Sequence, residues 1–217
     1  MINIHFLITV MLPAIIIAYV LGALPIAVLI SRRAGVDIFD VGTGLAGASN
    51  VKRYVGKYRG LTVGVLDLVK GLASLIVGTF LGIDDAWIVL PALAAIMGHW
   101  NSVFTGFRGG DGLAILGGIM IGMFPEFGFG VIGVLVGVLV ALGAQRLPYT
   151  SLLSVVLGYA TVAALVANSN GDLRMALGLG GLSTLVLARA ALGHLRRRDA
   201  GVDWNDLDDA VDQKGYL

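Results

Sequence analysis

Apolar stretches succeed one another along the chain at roughly 6–30, 61–82, 86–105, 113–124, 127–145, 151–168 and 173–193. Most approach the ~20 residues needed to cross a hydrocarbon layer about 30 Å thick, and few folds are open to a chain built this way. Only 13% of its residues are charged and 57% are hydrophobic, where an ordinary soluble domain carries about 25% charged residues. Phe124, Pro125 and Glu126 interrupt the block 113–145, and a Pro-Glu pair there reads as a tight interfacial turn. The expectation is an all-α, polytopic integral membrane protein with about seven transmembrane helices, six being the alternative. Residues 1–195 form the membrane domain, and 196–217 a charged, solvated tail on the cytoplasmic side.

Charge placement orients the helices. Residues 31–60 carry Arg32, Arg33, Lys52, Arg53, Lys57 and Arg59. Later connections on that side carry Arg108 and Arg146, and the tail carries Arg196, Arg197, Arg198 and Lys214. The other side holds Asp84, Asp85, Glu126 and Asp172, with Arg174 the one basic residue out of place. The positive-inside rule then puts the N-terminus outside and the C-terminus inside. Six spans would leave Arg146 and the basic tail on conflicting sides. The start lacks the basic region and cleavage site of a signal peptide, so the first apolar run is expected to stay in the membrane.

Several chemistries drop out. The chain has no cysteine, which removes disulfides, thiolate catalysis and cysteine metal sites. His5, His99 and His194 lack metal-ligand spacing, so no metal or cofactor is expected. Neither a G-x-S-x-G elbow nor a P-loop occurs. Nothing points to a nucleic-acid partner. No internal repeat is evident, which weighs against a transporter made of inverted halves.

Two glycine-rich polar segments carry the functional signal: residues 42–53, with Gly42, Gly44 and Gly47, and residues 106–112, with Gly109 and Gly110. Such loops are expected to leave backbone N–H groups free, and free N–H groups beside Arg or Lys hold phosphate. Thr43, Ser49 and Asn50 add side-chain donors, and the Arg53 guanidinium suits bidentate contact with phosphate. Lys52, Lys57 and Arg59 read as headgroup anchors. Arg108 sits in the second segment, with His99 just before it. Asp67 and Lys70 share one face of the second apolar stretch, either as an ion pair between helices or as a functional pair. Ser151 and Ser154 open the sixth stretch, where a serine serves as a cap or as part of an anion site. A phosphate site at the water edge of a bilayer points to lipid chemistry or phosphate transport.

Together these residues resemble the bacterial acyl-phosphate-dependent glycerol-3-phosphate acyltransferases (PlsY type). The segment Leu21-Gly22-Ala23-Leu24-Pro25 is similar to that family's G-S-I-P stretch, and residues 42–53 to its G-S-G-N-x-G-A-T-N-x-x-R loop. Asp67-Leu68-Val69-Lys70-Gly71 matches D-x-x-K-G. Residues 98–112 resemble G-H-x-F-P-x-F-x-x-F-x-G-G-K-G, and residues 151–154 resemble S-L-x-S. The resemblance implies a multi-pass protein of the cell (inner, plasma) membrane. Its members transfer an acyl group from acyl phosphate to the 1-hydroxyl of glycerol 3-phosphate, giving lysophosphatidic acid for phospholipid synthesis without a metal or acyl-CoA.

Carried over by position, Thr43, Arg53 and His99 are the catalytic candidates. The substrate- and phosphate-binding candidates are Gly42, Gly44, Ser49, Asn50, Lys70, Arg108, Gly109, Gly110, Ser151, Ser154 and His194. The sequence departs from the family pattern at Thr43 (serine in the family), Leu45 (asparagine), Asn101 and Ser102 (Phe-Pro) and Asp111 (lysine). Arg189 aligns with a family arginine, Ala190 then falls at a histidine, and His194 is the candidate to replace it. The alternatives are a non-catalytic relative that binds a lipid phosphate or a membrane partner, and a small anion transporter.

Overall fold

The computed structural model describes residues 3–125, 128–143, 150–169 and 171–199. Among these the chain is helical apart from short 3₁₀ turns and loops, with one isolated β-bridge between Ser102 and Arg108. A short lead-in, Ile4–Phe6 and the π-helical Leu7–Met11, runs into α1 (Leu12–Ala23). There follow α2 (Ile26–Arg33), α3 (Ala48–Tyr54), α4 (Lys57–Phe80), α5 (Val89–Trp100), α6 (Leu113–Met123), α7 (Phe129–Gly143), α8 (Thr150–Asn168) and α9 (Leu173–Asp199). Each apolar stretch of the sequence thus contains a helix. By length and composition Ile4–Arg33, Lys57–Phe80 and Leu173–Leu192 are long enough to cross a membrane, and the remaining apolar helices are shorter.

The outside of the bundle identifies its solvent. Leu61, Ile76, Phe80, Leu139 and Leu177 are all more than half exposed, and in water such a surface would drive aggregation. In lipid it costs nothing. Helix association there relies on close backbone packing. At the α4–α6 crossing, a side chain on Gly71 would strike the carbonyl of Ile115, and one on Gly118 the carbonyl of Leu68.

Three boundaries differ from the sequence expectation. The first apolar stretch is broken at Leu24-Pro25, because proline removes a donor and pushes its predecessor out of helical geometry. The third helix ends at Trp100 rather than near 105, and a 3₁₀ turn over Val103–Thr105 follows. The last helix runs to Asp199, into the expected tail, and 200–217 lie outside the described residues. Pro125 does end α6, and Gly130 N donates to Phe124 O across the turn. Arg174, the misplaced basic residue, forms a two-point pair with Asp172 at 3.1 and 3.2 Å. Those hydrogen bonds hold the Asp172 carboxyl below the usual carboxylate range.

Two cores organise the interior. The larger runs through the bundle, around Leu75, Ile96, Ile115, Ile119, Val162 and Leu179. The smaller, with Ile38, Val51 and Val63 at its centre, lies beneath residues 36–55. The first glycine-rich segment therefore sits on its own apolar floor.

Candidate functional site

The first segment is half helix. Ser49, Asn50, Lys52 and Arg53, expected in a loop, belong to α3, which starts after the extended Gly47. Asn50 is buried and organises the turn before it. Its Nδ2 shares two protons among the carbonyls of Ile38, Val41 and Leu45, each at 3.1 Å, and its Oδ1 accepts from Thr43 N at 3.3 Å. The remaining amides are also used: Gly44 N donates to Val41 O, Leu45 N to Thr43 Oγ1, Ala46 N to Gly109 O and Gly47 N to Leu45 O. This corrects the expectation of free N–H groups across residues 43–47. Gly42 and Gly44 serve the fold, each with a positive φ, and a side chain on Gly42 would collide with Asn50 Oδ1 and the Tyr54 ring.

The second segment folds against the first. The Ser102–Arg108 bridge closes it, and Ser102 Oγ donates to the Ala23 carbonyl at 2.6 Å. Arg108 lies over the Phe39 ring at 4.1 Å. Gly109 and Gly110 pass so close to His99 that a Cβ on the first would meet its carbonyl and on the second its Nε2. Gly110 N also donates to His99 O. With Ala46 N on Gly109 O at 3.1 Å, the two glycine-rich segments occupy the same end of the bundle.

Asp67, Lys70 and His99 meet in a tight polar pocket with Arg108, Gly109 and Gly110. Lys70 Nζ lies 2.8 Å from Asp67 Oδ1 and donates to Gly22 O at 3.2 Å and Leu24 O at 3.0 Å. An ammonium has three protons, and those three partners account for them. Lys70 therefore braces the carbonyls released by the helix break, and in this arrangement has no proton left for a phosphate. The pocket offers about 20 Å³, room for little more than a water.

The larger space lies on the other side of the first segment. A slot of about 640 Å³ runs between α4, α6, α7 and α8, within the ~300–1,000 Å³ usual for ligand sites. Ser49, Lys52, Lys57 and Ser154 stand among its lining residues, and the rest is almost wholly apolar or glycine. Ser154 Oγ donates to Thr150 O at 2.8 Å, so only its lone pairs face a ligand. The candidates thus divide: Lys70, His99, Arg108, Gly109 and Gly110 line the tight pocket, while Ser49 and Ser154 line the slot. Ala46 borders one and Ala48 the other, so residues 46–48 form the partition, while Thr43 and Arg53 are among the lining residues of neither space. The side chains of Ser151 and His194 lie outside the described residues.

The slot lysines Lys52 and Lys57 are additions to the sequence reading. Gly60 and Gly64, one helical turn apart after Lys57, let α3 pack on α4: a side chain on Gly60 would strike the Lys52 backbone. The departures from the family pattern also find places. Asp111 Oδ1 accepts from Leu113 N at 3.1 Å, which lets the start of α6 neutralise part of its charge. Asp111 is absent from the described residues lining either space. Arg189 stacks over Trp100 at 4.9 Å and donates to Trp100 O at 3.3 Å, beside His99, while Ala190 is buried.

These features define a class: a polytopic helical membrane protein with basic side chains gathered around an apolar slot at one end. The family model for glycerol-3-phosphate acyltransferases matches residues 12–197, and the chain belongs to that family. It is 44% identical over 108 residues to a glycerol-3-phosphate acyltransferase of Geobacter metallireducens, covering 50% of this chain and 56% of that protein. A counterpart from Geobacter sulfurreducens is 37% identical over 122 residues, covering 56% and 63%. The matched stretches thus span less than two thirds of these curated relatives. Crystal structures of PlsY, an integral membrane glycerol 3-phosphate acyltransferase, superpose with TM-scores of 0.72 for its glycerol 3-phosphate form and 0.70 for its lysophosphatidic acid form. Each is 29% identical and covers 88% of this chain and 92% of that one.

Proposed function

We propose that this protein transfers the acyl group of an acyl phosphate to glycerol 3-phosphate at the cytosolic face of the plasma membrane, releasing lysophosphatidic acid and inorganic phosphate. One observation carries the reading: lysines and serines sit on a lipid-compatible slot beside a partition, residues 46–48, that the second glycine-rich segment backs. Both substrates carry phosphate and one carries a long chain, so such a reaction needs cations next to apolar space.

The chemistry asks little of the protein beyond placement. The glycerol hydroxyl oxygen attacks the acyl carbonyl and forms a new C–O bond. The acyl C–O bond to phosphate breaks, phosphate leaves with the electron pair, and the hydroxyl proton ends on that phosphate. Because phosphate is a good leaving group, no covalent intermediate on the protein is required. Arg53, Lys52 and Lys57 hold the phosphates and stabilise the charge that develops as the bond breaks. Thr43 Oγ1 accepts from Leu45 N, which leaves its own proton for a substrate oxygen. His99, Gly109, Gly110 and Asn50 act as positioning residues, and Arg108 fixes the second segment on Phe39.

A non-catalytic lipid-phosphate binder is the second reading, favoured by Asp111 at a family lysine position. Purified protein supplied with palmitoyl phosphate and glycerol 3-phosphate separates the two. Lysophosphatidic acid and released phosphate, followed by mass spectrometry and a phosphate assay, are expected. Neither product above a boiled control would reject the transfer.

A further inference from the structure

The slot has a depth and a floor. Its α4 lining runs from Lys57 to Leu68, about 16 Å at 1.5 Å per residue. The floor at Met120 lies further on, because Gly118 of α6 already packs against Leu68 and Leu72. The other helices agree in direction. Leu113 on α6, Leu142 on α7 and Ser154 on α8 lie towards the lysine end, and Met120, Gly133 and Gly158 towards the far end. There the slot is closed: a Cβ on Gly133 would meet the Met120 sulfur, Val162 and the Gly158 carbonyl.

One turn before Met120, Gly117 faces the space between α4 and α7. A Cβ on Gly117 would lie 3.7 Å from Val134 Cγ2 and 3.9 Å from Leu68 Cδ1, in ordinary contact. This differs from the neighbouring Gly118, whose added carbon would strike backbone. Gly117 is therefore a glycine that packing does not demand, at the narrow part of a cavity that its lack of a side chain keeps open.

We propose that the slot gauges the acyl chain of a single-chain phosphate ligand, with Gly117 and Met120 setting the longest chain accepted. The occupant follows from charge and shape: an anionic head at Lys52 and Lys57, one extended chain along α4 and then α6, and a closed far end. This deepens the acyl-transfer reading and rests on it for the identity of the ligand as the acyl donor.

The test uses the whole protein in neutral phosphatidylcholine nanodiscs, with octyl, dodecyl and hexadecyl phosphate as probes that cannot transfer their chains. Methylenes kept out of the slot return to the bilayer's own hydrocarbon, so what they lose is the close packing of the slot rather than shelter from water. Gly117→Leu is expected to lose affinity for hexadecyl phosphate and to keep that for octyl phosphate. Leucine is a good helix former and the first added carbon fits, so the variant should fold. Met120→Ala, which deepens the floor, is expected to shift preference towards longer chains. A Gly117→Leu effect equal for all chains, or absent, would overturn the gauge. So would a two-chain phosphatidic acid that competes as well as hexadecyl phosphate, since the slot would then seat a bilayer lipid. If the chain-length shift occurs but no acyl transfer is found, the transfer reading fails and the gauge stands. If transfer occurs with an unaltered chain-length profile in Gly117→Leu, the gauge alone fails.

Discussion

Replacing Lys70 by methionine tests whether it braces the helix break or serves a substrate. Its ammonium is buried, bonded to Asp67 Oδ1 and to the carbonyls of Gly22 and Leu24. Removing one partner of a buried ion pair costs about 3–5 kcal/mol, mostly because the remaining charge is stranded. Leu24 O keeps a second donor, Ile26 N at 3.0 Å, so the main added loss falls on Gly22 O. A total near 4 kcal/mol corresponds to a midpoint lowered by about 8–16 °C for a chain of this size. Asp67→Asn strands the buried ammonium and falls in the same range of about 3–5 kcal/mol, towards its lower end because the amide oxygen still accepts from Nζ and both carbonyls keep their donor. The double variant Asp67→Leu with Lys70→Met removes the stranded charge and is expected to be more stable than Lys70→Met alone. Unfolding midpoints in detergent, followed by tryptophan emission, measure all three. A double variant no more stable than Lys70→Met, or a Lys70→Met midpoint equal to the parent's with turnover lost, would refute the brace and return Lys70 to the substrate.

Arg53→Lys keeps the charge but loses the fork, and is expected to raise KM for glycerol 3-phosphate by about tenfold in steady-state assays. Asp111→Asn retains an acceptor for Leu113 N while removing a negative charge beside Gly47 of the partition. It should leave the melting midpoint within about 2 °C and lower KM for the phosphate substrates, most clearly at low salt. Gly118→Val would drive a side chain into the Leu68 carbonyl, and the expected result is loss of the monodisperse folded peak in size-exclusion chromatography.

The helices were legible because a bilayer imposes one rule on every span, and the turn at Pro125 was legible because proline and charge coincide there. The break at Leu24-Pro25 was harder to see, since a proline within an apolar run does not reveal whether the released carbonyls find donors. Here Lys70 and Ser102, far away in sequence, supply them. The helix α3 was hidden by its length, seven residues, too few for a periodic pattern. Asn50 read as a ligand donor because its type suits both roles; only the three carbonyls around it reveal its use. Lys52 and Lys57 looked like headgroup anchors because an interfacial charge reads alike whether lipid or a cavity lies beyond it.

The amides of residues 43–47 are spent within the two glycine-rich segments, and that shifts the chemistry of the mouth towards side chains. A surface of this kind can change its ligand preference through single substitutions at Ser49, Lys52 or Lys57 without the main chain having to find a new path. The turn is a fixed frame into which different heads can be fitted, and variation among relatives should gather on those three positions while the frame stays as it is.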